Sequence, residues 1–176
     1  MKLARFAAGA LALGLFGCAT GQSAAKGQSE AKSGGSSSLP DFQLADTQGD
    51  TLTLSQIMAS HKVVYLDFWA TWCGPCTAEM PRLEAFYQKY KDQGFVVVGI
   101  SMDDPSTMGA VNSYVHRMGM TFPVVVDTES RAVQLYNTTH SAPYGVLIAN
   151  GKVVAEHGGY TPGDEMVLEE EIKKQL

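Results

Sequence analysis

The sequence predicts an α/β domain in which a mixed central β-sheet is flanked by helices on both faces, with a β-hairpin extension on its N-terminal side. Three observations predict it. Lys62–Trp69 and Phe95–Ile100 are nearly continuous apolar and β-branched runs, the pattern of central strands buried on both faces. Between them apolar residues recur at helical spacing (Met80, Leu83, Phe86, Tyr87, Tyr90), and a strand–helix–strand succession makes the two strands parallel. Late in the chain, Asn150-Gly151 stands between two apolar runs, the strongest short signal of an antiparallel hairpin.

In chain order, Lys2 and Arg5 precede an apolar run from Phe6 to Phe16 that ends at Gly17-Cys18, so residues 1–17 read as an export signal. About a dozen apolar residues fall short of the ~20 that span a bilayer as a helix, which favours cleavage over a permanent anchor. Leu15-Phe16-Gly17-Cys18 resembles the lipobox of bacterial lipoproteins; the resemblance implies that Cys18 is diacylated and becomes the mature N-terminus. A plain secretory signal cut elsewhere is the alternative. Half of the residues from Ala19 to Ser38 are Ser or Gly, and none is aromatic or a large aliphatic. Residues 18–38 therefore read as the lipidated cysteine and a flexible tether reaching roughly 25 Å. The folded domain is 39–176.

Within it, Phe42-Gln43-Leu44 and Thr51-Leu52-Thr53-Leu54 alternate around Asp46-Thr47-Gln48-Gly49-Asp50, giving the N-terminal hairpin. The strand ending at Trp69 runs into a turn at Cys73–Cys76, and the helix is expected over Thr77–Gln93, with Pro81 near its start or at a kink and Gly94 as its stop. After the Phe95–Ile100 strand, Asp103-Asp104-Pro105 offers an N-cap and first-turn proline for a helix reaching Met118. Val124–Val126 is a short strand, Ser130–Tyr136 a short helix, and Gly145–Ala149 and Lys152–Glu156 the late hairpin. Asp164–Gln175 closes the chain as a helix whose acidic-then-basic order suits its dipole.

Composition bounds the function. With 176 residues, 45% apolar and 18% charged, the chain holds one domain plus an appendage and is not a polytopic membrane protein. A net charge of −5 opposes nucleic-acid binding, which needs clustered Lys and Arg. The three cysteines divide into a lone Cys18 and the pair Cys73 and Cys76.

A C-x-x-C between a buried strand and an amphipathic helix places its first sulfur at a helix N-terminus, where free N–H groups and the dipole favour an anion. Cys73 is thereby assigned as the thiolate and nucleophile. Lowering a thiol from ~8.5 to ~7 requires about 2 kcal/mol, at the upper end of what a helix terminus supplies. Cys76, one turn further in, is the sheltered resolving thiol. Zinc would need four ligands, and the chain has no second cysteine pair and no H-x₃₋₅-H cluster. A purely structural disulfide across two residues would restrict little unfolded-chain entropy. Redox chemistry is the reading that remains, with Cys73–Cys76 as its disulfide, no metal and no other cofactor.

Asp67-Phe68-Trp69-Ala70-Thr71-Trp72-Cys73-Gly74-Pro75-Cys76 resembles the active-site strand and turn of thioredoxins. Residues 40–176 as a whole resemble the TlpA/ResA-like family of exported disulfide oxidoreductases, with Phe122–Asp127 and Asn150–Val154 also reading like family segments. The resemblance implies a thioredoxin-like fold and a thiol-disulfide oxidoreductase activity. It points to Pro143 as a cis-proline facing the disulfide and to the Ala142 backbone as a docking edge for a client strand. Trp72, Gly74 and Pro75 complete that client-binding surface. Tyr144-Gly145 stands where the family carries hydroxyl residues, so no substrate preference follows. His140, close to Pro143 in sequence, reads plainly as an exposed loop histidine.

Cys76 must lose a proton in a sheltered place, so a carboxylate is expected nearby. Asp67 matches the buried thioredoxin aspartate and is taken as the principal base, its pKa raised by desolvation. Glu79, at i+3 from Cys76, matches the glutamate of the ResA-like motif and is taken as a modulator. The expected partners are protein thiol or disulfide clients, a membrane electron donor and, through Cys18, the membrane itself; resemblance to lipoprotein sorting in two-membraned bacteria implies, from Ala19 after Cys18, the outer membrane. Two further readings stay open. One is a copper(I)-binding thiol lipoprotein. The other is a peroxiredoxin-like peroxidase, disfavoured because Leu66 and Ala70 stand where that pattern places Pro and Thr.

Overall fold

The computed structural model describes residues 39–176; the predicted signal 1–17, the lipidation site Cys18 and the tether to Ser38 lie outside the described residues. Seven strands form one sheet in the order β2-β1-β5-β4-β3-β6-β7. These are β1 (Gln43–Asp46), β2 (Thr51–Thr53), β3 (Val63–Trp69), β4 (Phe95–Ser101), β5 (Val124–Val126), β6 (Tyr144–Ala149) and β7 (Lys152–Gly158). β3, β4 and β5 run parallel, whereas β6, β7 and the N-terminal hairpin add antiparallel pairings at the two sides. The expected mixed sheet is present.

The five helices are α1 (Leu54–Ser60), α2 (Gly74–Tyr90), α3 (Met108–Met118), α4 (Arg131–Tyr136) and α5 (Asp164–Gln175). β3 and β4 are buried along their whole length because alternate residues feed two cores. Val63, Tyr65 and Trp69 pack with α2, α3 and α5, while Val64, Leu66 and Phe68 pack with α1 and α4. Each such side chain contributes ~1.5–3 kcal/mol when buried. The same alternation aims Asp67 at the α2 face.

Four expectations shift. Leu54, read as the end of a strand, opens α1, a seven-residue helix whose N-cap residue Thr53 makes no side-chain cap. α2 starts at Gly74 rather than Thr77, which puts Pro75 in its first turn and Pro81 inside it; a 3₁₀ turn at Lys91–Gln93 and a left-handed Gly94 end it. α3 begins at Met108, not at Asp103-Asp104-Pro105, because the Asp103 carboxylate is engaged across the sheet end and Asp104 caps a separate turn by accepting from the Ser106 and Thr107 N–H groups. β7 runs two residues beyond Glu156 to Gly158, and that extension carries His157.

Candidate active site

The Cys73 turn leaves the end of β3 and is fixed before the helix begins. Thr71 donates to Asp103 Oδ2 through its N–H (3.0 Å) and to Oδ1 through its Oγ1 (2.5 Å), and Ser101 Oγ donates to the same Oδ2 at 2.8 Å. The Cys73 N–H donates to the Ala70 carbonyl at 3.0 Å. Cys73 is thereby placed at the N-cap of the 17-residue α2, its sulfur accepting from the Cys76 N–H at 3.2 Å. The two sulfurs are joined, at 2.02 Å. Cys73 retains 4% of its surface and Cys76 none, so the first thiol is the one a client reaches. Gly74 and Pro75 form the exposed first turn between them.

Around this turn the structure gathers the other predicted surface residues. Trp69 is fully buried, whereas Trp72 is 66% exposed, so the first indole is core and the second is surface beside Cys73. The Ala142–Pro143 peptide is cis. Tyr144 pairs with Phe68, which brings Pro143 to the end of β3 from which the cysteine turn departs. The loop before Pro143 is organised by the fully buried Asn137, which donates to the Ser141 carbonyl at 2.7 Å and accepts from the Thr139 hydroxyl at 3.0 Å. His140 is exposed, as expected of a loop histidine.

Two buried acids lie in the adjoining strand and helix: Asp67 on β3, and Glu79 on α2, three residues past Cys76. Asp67 is completely enclosed and neither of its carboxyl oxygens has a hydrogen-bond partner; Glu79 is 6% exposed, and its Oε2 is likewise unpartnered. Burial, and then the charge of Glu79, hold Asp67 well above the usual carboxylate range. Burial, and then the charge of Asp164, push Glu79 up to about 7. Two desolvated carboxyls this exposed to each other's charge cannot both ionise cheaply, so burial favours keeping a proton on them.

A paired dithiol at a helix N-terminus suits thiol-disulfide exchange. A sequence profile of the AhpC/TSA family matches residues 36–162. The chain belongs to the AhpC/TSA family. It is similar to the thiol-disulfide oxidoreductase ResA of Geobacillus kaustophilus, at 35% identity over 117 residues, 66% of this chain and 65% of that one. The ResA protein of Bacillus anthracis is 31% identical over 137 residues, 78% of this chain and 71% of its own. A crystal structure from Chlorobium tepidum, ascribed to a thiol:disulfide interchange protein DsbE, matches with a TM-score of 0.71 at 35% identity, covering 78% of this chain and 94% of that one. This AhpC/TSA member is a thiol-disulfide oxidoreductase of the ResA and DsbE type on a thioredoxin-like fold.

Several residues of this AhpC/TSA site escape a reading by motif. Asp103 resembles a helix cap in sequence, and only its position after the fully apolar β4 hints at a buried acceptor. Asn137 follows an apolar helical turn in a Thr- and Ser-rich loop, a setting in which Asn side chains template backbone. Tyr65, Gly145 and His157 carry no local signal, because strand register alone brings them together.

Proposed function

We propose that the protein is a membrane-tethered, extracytoplasmic reductase of protein disulfides. One observation carries the reading: Cys73 at the N-terminus of α2, the more exposed of the two sulfurs, is linked to a fully buried Cys76, and two buried acids with raised pKa values, Asp67 and Glu79, stand on the adjoining strand and helix. In the reduced enzyme the Cys73 thiolate attacks one sulfur of a client disulfide, forming a mixed disulfide and releasing one client thiolate. Cys76 then gives its proton to the Asp67–Glu79 pair and attacks Cys73 Sγ. This releases the second client thiolate and leaves the enzyme disulfide. The client loses its disulfide and the enzyme gains one, so two electrons must return from a donor on the membrane side.

The docking surface supports a polypeptide client. Among the described residues no hydrogen bond engages the Ala142 N–H or C=O, which leaves both to an added strand, and the exposed Trp72 offers an apolar face beside the sulfur. Reduction rather than oxidation is favoured by Gly74-Pro75, the dipeptide that the sequence shares with thioredoxin, whose potential is about −270 mV. The lipobox-like segment at Cys18 and the Ser/Gly tether support anchoring outside the cytoplasm.

The reading is tested with Cys76→Ser, which should stall the mixed disulfide and allow the client to be isolated. Insulin reduction by the unaltered protein should run parallel to it. Stoichiometric copper(I) uptake without insulin reduction would instead establish the metal-binding reading, and peroxide turnover by Cys73 alone the peroxidase reading. Cys18→Ala should release the mature protein from membranes.

A further inference from the structure

The Cys76 proton has a source and a holder, but Asp67 is sealed from water. Register shows where it leads. Asp67 pairs with Gly99 of β4 on one side and Gly145 of β6 on the other, and Gly145 in turn pairs with His157 of β7. Directly paired residues of neighbouring strands face the same way. Asp67 and His157 therefore point to the α2 face with only Gly145, which has no side chain, between them.

That slot is filled from the next turn of the pleat. A Cβ added at Gly145 would meet the Tyr65 hydroxyl at 1.8 Å and its Cζ at 2.3 Å, so the phenol occupies the space an ordinary residue 145 would take. Beyond it the His157 imidazole lies with its ring centroid 6.4 Å from that of Tyr65, and its Nε2 meets Glu171 Oε2 of α5 at 2.7 Å. His157 and Glu171 keep 26% and 29% of their side-chain surface. Tyr65, Glu79 and His157 also line a common cavity of about 20 Å³, room for one water molecule. The unpartnered Glu79 Oε2 belongs to a wall residue of that cavity, whereas Asp67 is not part of its lining.

We propose that the Tyr65 hydroxyl, seated in the slot left by Gly145, connects the buried Asp67–Glu79 pair through this one-water cavity to the His157–Glu171 pair, and so carries the Cys76 proton between the dithiol and solvent. The assignment rests on the exchange mechanism above. A neutral phenol relays by accepting a proton on oxygen from one side while giving up its own on the other, so no net charge is left on it. Burial, followed by the charges of Glu79, Asp67 and Glu171, holds the Tyr65 phenol well above its usual range and keeps it neutral. The groups facing Glu79 are Tyr65 and Asp67 from β3, Arg82 from its own helix, His157 from β7 and Tyr160 just after it, and Asp164 and Glu165 from α5. Arg82 is drawn to Glu165 at 3.7 Å, and Glu165 accepts from Tyr160 at 2.9 Å, which leaves His157 as the basic group on the exit side. Tyr65 and His157 are positioning and relay residues, not attackers.

The fully reduced protein, reacted with an aryl disulfide that releases a coloured thiolate, separates the steps. The first release reports Cys73 attack, and the second reports resolution by Cys76. Tyr65→Phe keeps the ring and removes only the oxygen. It should leave the first phase unchanged and slow the second about tenfold, less than the ~10²–10⁴ carried by a base itself, with a larger solvent isotope effect. His157→Ala should slow the same phase, and added imidazole should restore it saturably. A second phase within twofold of wild type in Tyr65→Phe, with the urea midpoint showing that the variant is folded, overturns the relay. A slowed second phase that imidazole leaves unrestored in His157→Ala overturns the part assigned to that residue. If the unaltered protein shows no second phase, the resolving role of Cys76 fails instead.

Discussion

Replacing Glu79 by Gln should make the protein more stable than wild type at alkaline pH, by an amount that grows as the pH rises. Its carboxyl is pushed from 4.5 in the unfolded chain to about 7 in the fold, chiefly by burial. Carrying that proton up to about 7 instead of 4.5, at 1.36 kcal/mol per pH unit, is about 3 kcal/mol of penalty on the ionised form. The folded state binds the proton more tightly than the unfolded state does, so stability from this group is fully present below pH 4.5 and is lost as pH climbs through about 7. Gln is a neutral near-isostere and shows no such loss. Any cost of fitting the amide is independent of pH and displaces the curve without tilting it. Urea unfolding of both proteins, disulfide intact, at intervals from pH 4 to pH 8.5 should therefore give curves that diverge by about 3 kcal/mol. In thermal melts that corresponds to roughly 10 °C. Asp67 adds to the divergence, because removing the Glu79 charge relieves part of what holds its own proton on. Parallel curves across this range would refute a desolvated, shared carboxyl pair.

The remaining predictions each address one part of the site. Gly145→Ala drives a methyl into the Tyr65 ring and should cost about 3 kcal/mol or more; combined with Tyr65→Leu, which clears the slot, the loss should be smaller than the two single losses added, as read by urea midpoints. Asp103→Asn replaces one acceptor of Thr71 or Ser101 by a donor and should cost ~1.5–3 kcal/mol, with the reduction potential of the dithiol shifting as the turn loosens. In the reduced protein Cys73 should alkylate at least about tenfold faster than Cys76 by timed peptide mapping; equal rates would reverse the reading of which thiol attacks.

Much of the fold was legible because β3, β4 and α2 are long and strongly patterned, and the hairpin between β6 and β7 carries an Asn-Gly signal. α1 was not, since it is short and uncapped by a side chain, and its leading Leu54 continues the alternation of the preceding strand. Asp103 misled because the residues that make a good helix cap also make good buried acceptors, and a tertiary bond to Thr71 won over the local one. Cys73, Cys76, Asp67 and Glu79 stood out by chemistry and spacing within one strand–turn–helix. Tyr65, Gly145 and His157 belong to three strands, and nothing but the register of β3 on β6 and β6 on β7 joins them. An isolated glycine in a strand signals close approach, yet the sequence does not say of what.

The position of the carboxyls explains why two unpartnered acids are tolerated inside an apolar core. Cys73 is favoured as a thiolate by its place at a helix terminus, and that environment holds a negative charge well but is a poor place to deliver a proton. Cys76 is favoured as a thiol by burial, and burial makes its ionisation slow unless a group beside it exchanges the proton without creating a second buried charge. An apolar residue at 67 would stabilise the sheet and, on the mechanism proposed above, deprive Cys76 of its base. A salt-bridged carboxylate there would be comfortable but too weak a base. An unpaired acid beside a second acid keeps its proton well above the usual carboxylate range, and the unfavourable burial is offset by the packing on both faces of β3. The two thiols thus need opposite environments one helical turn apart, and the junction of a buried strand with a helix N-terminus supplies both.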